Sequence, residues 1–82
     1  MDLFLTRRFI HRLEKLPAAV QERVRTALDE IARSPLQGKR LSGALAGEFS
    51  LRVGKYRILY AIEGNRIFAE TVRHRKDVYR KR

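Results

Sequence analysis

The chain has no cysteine. That excludes a disulfide framework, a thiolate nucleophile and a Cys-ligated zinc site. The two histidines, His11 and His74, are far apart and fit no metal-ligand spacing, so no metal and no cofactor is expected. No run approaches the roughly 18–20 apolar residues of a membrane span. The first residues, MDLFLTRRFIH, carry an acid at position 2 and cations after the apolar stretch. A secretory leader needs the reverse order, so a cytoplasmic chain is expected. The 82 residues suit one small domain, 1–82, and their 44% apolar content argues against disorder.

Acids are scarce as well. There are 9 Asp+Glu against 19 Lys+Arg, a formal charge of +10. The excess is placed unevenly. Residues 1–38 hold seven cations and five acids, whereas residues 39–82 hold twelve and four. The last ten residues hold six cations and one acid. A placed basic surface attracts phosphate polymers, anionic membranes or acidic proteins. The basic half does not read as an amphipathic helix, the usual device for lying on a bilayer, so no membrane partner is expected.

Periodicity divides the chain. Asp2-Leu3-Phe4-Leu5 is a short strand candidate, and Thr6 can cap a helix starting near Arg7. Phe9, Ile10, Leu13 and Leu16 recur at helical spacing until Pro17, which starts a second helix more readily than it continues the first. That second helix carries Val20, Val24, Ala27, Leu28 and Ile31 on one face and ends near Ser34-Pro35. The segment GKRLSGALAG, residues 38–47, reads as a loop, with Leu41 and Leu45 tucked inward and Lys39 and Arg40 in water. Period-2 alternation follows. Phe49, Leu51 and Val53 share a face, Gly54-Lys55 suits a type II′ turn, and Tyr56, Ile58, Tyr60 and Ile62 share a face. Glu63 to Arg66 turns the chain into a third strand, Ile67 to Val72, which runs into Arg73-His74-Arg75. The expected fold is α+β in the order β-α-α-β-β-β, with a helical hairpin on one face of a small, mostly antiparallel, twisted sheet.

Helices on one side leave the other side of the sheet for function. Arg52 and Arg57 flank the tight hairpin, and Arg73 and Arg75 share a parity at the end of the third strand, with His74 opposed. Tyr79 follows, outside any periodic pattern. Guanidinium groups match phosphate oxygens bidentately, and a tyrosine ring offers a surface for a base to stack on. Tyr56 and Tyr60 lie on the apolar face of their strand and read as core.

The stretch Leu51-Arg52-Val53-Gly54-Lys55-Tyr56-Arg57-Ile58-Leu59-Tyr60 resembles the "LRvGxYRvlY" signature of the RelE/ParE toxin superfamily. Ser34-Pro35 with Gly38-Lys39-Arg40-Leu41-Ser42-Gly43 is similar to its "P..gk.L.G" segment, and Val72 to Tyr79 to its "vghRkdvY" segment. The early Leu16-Pro17 and Val20-Gln21 pattern also fits, so nearly the whole chain is covered. The resemblance implies a basic toxin of a prokaryotic type II toxin–antitoxin pair. In the RelE branch the toxin enters the ribosome and cuts messenger RNA without a metal. The ribose 2′-hydroxyl attacks the adjacent phosphate and leaves a 2′,3′-cyclic phosphate. By position, Arg57 and Arg73 match the family's catalytic arginines and Tyr79 its C-terminal tyrosine. Arginine does not deprotonate in proteins, so both arginines are assigned to charge stabilisation. Two roles fit Tyr79, a base whose pKa nearby cations lower or a platform for a nucleotide, and His74 is the alternative acid or base. Arg52, Lys55, Arg75, Lys76, Lys39, Arg40 and Arg80 are expected to bind RNA phosphates. Where the RelE branch has two lysines on the strand before the hairpin, this chain has Glu48 and Ser50. The expected partners are the ribosome and mRNA and an acidic antitoxin encoded next door, with operator DNA reached only through that antitoxin. The alternative is a ParE-like DNA gyrase inhibitor or a catalytically inactive relative. That branch typically lacks the Arg/Tyr set, so Arg73 and Tyr79 favour RelE.

Overall fold

The computed structural model describes residues 1–41, 47–74 and 76. Strand β1 (Asp2–Leu5) leads into helix α1 (Arg7–Glu14) and helix α2 (Ala18–Arg33). A 3₁₀ turn, Pro35–Gln37, precedes the short strand β2 (Lys39–Arg40). A meander of β3 (Glu48–Val53), β4 (Tyr56–Glu63) and β5 (Arg66–His74) completes the chain. The sheet order is β1-β5-β4-β3-β2, with β1 parallel to β5 and the other pairings antiparallel.

Local chemistry sets the boundaries. Thr6 caps α1, its hydroxyl accepting from the Phe9 N–H at 3.1 Å. Pro17 stands just outside α2 with φ −56° and ψ 149°, where its missing N–H costs nothing. Both meander turns contain two residues, Gly54-Lys55 and Gly64-Asn65. Each begins with a glycine at φ +59° and continues with a residue at negative φ, as a type II′ turn requires.

The two helices cover one face of the sheet. Phe9 and Leu13 from α1 and Val24, Ala27, Leu28 and Ile31 from α2 pack with Phe49, Ile58, Tyr60, Ile67, Ala69 and Val72. Ile10 falls outside this set at 41% exposure, so the apolar stripe of α1 is narrower than its spacing indicates. The glycine-rich segment read as a loop contains β2, with Lys39 opposite Ser50 and Arg40 opposite Phe49. Two residues carry almost no periodic signal. The free edge of β3 makes this strand, and the Leu41 N–H extends it to the Glu48 carbonyl at 2.9 Å. Leu41 is half-buried, and Leu45 lies outside the described residues.

The Tyr60 hydroxyl ties the meander to the end of α2. It donates to the Pro35 carbonyl at 2.6 Å and accepts from the Gly38 N–H at 3.0 Å. A Cβ on Gly38 would lie 2.5 Å from that oxygen, so this position needs glycine for space. Tyr60→Phe leaves a donor and an acceptor unmatched and is expected to lower unfolding stability by about 1–3 kcal/mol in urea titrations. Gly38→Ala is also destabilising. The double variant should lose less than the sum, because removing the hydroxyl relieves the clash.

Candidate functional site

A register shift decides what the second face of the sheet displays. From Glu63 opposite Arg66 to Tyr60 opposite Ala69 the β4–β5 ladder is regular, but Leu59 then faces Thr71, leaving Glu70 as the extra residue of a β-bulge. Before the bulge Ile67 and Ala69 point to the helices; after it Val72 does. The parity change turns Arg73 to the face opposite the helices, directly across from Arg57, which in turn faces Arg52. Three guanidinium side chains from three adjacent strands therefore stand in one row. The bulge is pinned by the residue that caps α1. The Thr6 N–H donates to the Ala69 carbonyl at 3.1 Å, and its hydroxyl donates to the Glu70 carbonyl at 2.8 Å.

The next row is Lys39, Ser50, Leu59 and Thr71. Arg57 Nη1 donates to Ser50 Oγ at 3.1 Å, which bends one guanidinium toward that row. Arg52 Nε donates to the Gly54 carbonyl at 3.2 Å. Arg73 Nε and Thr71 Oγ1 are buried atoms with no hydrogen-bond partner among the described residues. Buried polar atoms are rarely left so, and an anionic ligand is one group that can supply an acceptor for Arg73 Nε.

Beyond the hydroxyl row the sign of the charge reverses. Glu48 and Glu70 reach each other from the two sides of β4, and burial pushes the Glu48 carboxyl above its ordinary value, helped by the negative charge of Glu70 and a hydrogen bond between the two. Phe4 and Phe68 stack at 5.6 Å near the β1 edge of the same face. One end of the face is thus cationic and the middle carries a carboxyl pair.

Residues 3–79 match the profile of the family described as the ParE toxin of the type II toxin–antitoxin system parDE. The chain belongs to the RelE/ParE toxin superfamily of type II toxin–antitoxin systems. This toxin is 42% identical over 79 residues to Toxin RelG of Mycobacterium tuberculosis, covering 92% of this chain and 87% of that relative. It is 27% identical over 85 residues to Toxin RelE3 of Methanocaldococcus jannaschii, covering 96% of each. Among solved structures, the toxin–antitoxin complex RelBE2 from Mycobacterium tuberculosis gives a TM-score of 0.83 at 34% identity, covering 89% of this chain and 95% of that one. The isolated E. coli RelE toxin shares the fold at a TM-score of 0.75 and 19% identity, covering 89% and 82%.

The structure brings together Arg52, Arg57, Arg73 and Lys39 on one face of this toxin, with Lys55 in the adjoining turn. It separates two of the expected residues from them. Arg40 pairs with Phe49 on the helix side, its guanidinium 5.5 Å from the ring centroid. His74 lies opposite Tyr56, also on the helix side, with the two rings edge to face at 5.4 Å. Lys76 is exposed, and its N–H donates to His74 Nδ1 at 3.3 Å. Arg75, Tyr79 and Arg80 lie outside the described residues. Three contributors escaped the sequence reading: Ser50 as the acceptor for Arg57, Glu70 as the bulge, and Thr6 as its anchor. Of these only Ser50 had a signal, since it shares the parity of Arg52.

The carboxyl pair gives this toxin a pH signature. A raised carboxyl holds its proton more tightly in the folded chain than in the unfolded one. Stability attributable to Glu48 therefore falls as pH rises above the ordinary carboxyl value of 4.5. Glu48→Gln removes that penalty. Its melting temperature should exceed the wild-type value at pH 7, and the difference should shrink as pH falls to 4.5. A variant less stable than wild type at pH 7 would contradict the pairing.

Proposed function

We propose that this toxin is a metal-independent mRNA endoribonuclease that acts on the ribosome and is held in check by an acidic antitoxin. The observation that supports it most is the guanidinium row, in which Arg73 Nε is buried with no acceptor among the described residues. Like charges directly opposite one another on neighbouring strands repel, and an anion bound among them relieves that repulsion. A phosphodiester supplies that anion.

The proposed reaction is internal. The 2′-oxygen of a ribose forms a bond to the adjacent phosphorus, and the bond from phosphorus to the 5′-oxygen breaks. The products are a 2′,3′-cyclic phosphate and a 5′-hydroxyl. Negative charge grows on the non-bridging oxygens as the bond forms. Arg57 and Arg73 are assigned to stabilise it, which matters most where the donors are already fixed in place. Ser50 fixes Arg57 through its hydroxyl. Arg52, Lys39 and Lys55 attract the flanking phosphates. The Glu48–Glu70 pair repels them and so confines the scissile phosphate to the cationic end. The proton from the 2′-hydroxyl must go to a base and the 5′-oxygen must receive one. His74 faces the helices, so Tyr79 is the residue we assign to proton transfer. The antitoxin is supported by the charge of +10 and by the relative whose structure is a toxin–antitoxin complex.

One observation favours a second reading, inhibition of DNA gyrase: the matching family profile is that of ParE toxins. Purified protein is to be assayed for mRNA cleavage on translating ribosomes and, in parallel, for inhibition of gyrase supercoiling. Cleavage with cyclic-phosphate ends and unaffected supercoiling are expected. Arg57→Ala and Arg73→Ala should each slow cleavage about 100-fold with an unchanged circular dichroism spectrum, and Tyr79→Phe should slow it as well. Gyrase inhibition without cleavage would overturn the proposal.

A further inference from the structure

The helix side of the same strand ends carries a second cationic pocket, of about 180 Å³. Arg12, Lys15 and Leu16 from the end of α1 line it, together with Tyr56, Arg73 and His74 from β4 and β5. Among the described residues no carboxylate lines it. Neither Arg12 nor Lys15 forms an ion pair among the described residues, where the pair found is Arg25–Glu22. Cations in the last turn of a helix complement its dipole, and that alone accounts for Arg12 and Lys15 on α1. It does not account for an imidazole and a phenol ring from the sheet closing on the same space.

The imidazole has a defined polarity. His74 Nδ1 accepts the Lys76 N–H at 3.3 Å, so a neutral ring carries its proton on Nε2, which is then a donor. A guanidinium, an ammonium and an imidazole N–H, with no acceptor of their own between them, fit an oxyanion. Successive strand residues point to opposite faces. Arg57 and Tyr56, like Arg73 and His74, therefore join the two faces at the same end of the sheet.

We propose that this pocket is a second phosphate subsite, which takes a backbone phosphate of the RNA strand as it passes from the guanidinium row around the ends of β4 and β5. The inference rests on the RNA-cleaving reading above and extends it to a site outside the reacting centre. It makes Arg12, Lys15 and His74 binding residues and gives the strand a path over both faces.

The test uses a single-stranded RNA oligonucleotide with 2′-O-methyl riboses, which cannot be cut by internal attack. Its affinity is to be measured over a range of KCl concentrations for the full chain, for Arg12→Ala/Lys15→Ala and for Arg73→Ala. Losing one phosphate contact should weaken binding several-fold and lower the slope of log K against log salt by about 0.7. The His74 ring resonances should shift on RNA addition in wild type and not in the double variant. Lys15→Glu, at an exposed position, gives the same readout should the half-buried Arg12 prove necessary for folding. An unchanged salt slope with His74 unmoved would overturn the subsite. RNA binding that depends on Arg73 but not on Arg12 and Lys15 removes this inference alone. No RNA binding by the wild-type chain removes this inference, and only the ribosomal cleavage assay decides the RNA-cleaving reading.

Discussion

The geometry of the cationic face depends on one extra residue in β5. Without the bulge at Glu70, the register that holds from Glu63–Arg66 to Tyr60–Ala69 would continue unshifted. Arg57 would then face Val72, and Arg73 would turn toward the helices. Thr6 holds the bulge in place with two hydrogen bonds, one from its backbone and one from its hydroxyl. The same hydroxyl accepts from Phe9 to start α1. Capping the first helix and aiming the last strand's arginine are therefore one structural event, built from residues 64 positions apart. β-bulges commonly re-aim side chains in this way beside functional sites.

The helices contribute by what they leave alone. They bury the apolar parity of the meander and nothing else, so every charge of opposite parity remains on the second face. The order of those charges along the face is graded. Three arginines stand at the hairpin end, hydroxyls in the next row, and a carboxyl pair beyond them. Such an arrangement spends stability twice, through like-charge neighbours at the hairpin end and a burdened carboxyl in the middle of the face. A fold of 82 residues has little stability to spare. The Tyr60 hydroxyl, bonded to both Pro35 and Gly38, is one of the contacts that offset it.

Much of this was legible in the sequence because it rests on short-range rules. Helix periodicity identified Phe9, Leu13, Val24, Leu28 and Ile31; alternation identified Ile58 and Tyr60; glycine-first turns fixed the hairpin that sets Arg52 against Arg57. The convergence of Arg57 with Arg73 was also expected, yet strict alternation along β5 from Ile67 would have put Arg73 on the wrong side. The bulge that corrects it has no local signature, since Glu70 resembles any exposed strand residue and its anchor lies at the other end of the chain. The two-residue strand β2 was hidden for a related reason, because pairing with β3 creates it. Arg40 and Arg52 look alike as isolated cations in the sequence. Only the register shows that one lies over Phe49 and the other in the guanidinium row.

The most direct measurement is the structure of this toxin bound to a short RNA with 2′-O-methyl riboses. The guanidinium row predicts a phosphate whose oxygens accept from Arg73 Nε and from Arg57, on the face opposite the helices. A phosphate backbone that binds elsewhere, with Arg57 and Arg73 both free of it, would contradict that row as the reacting centre.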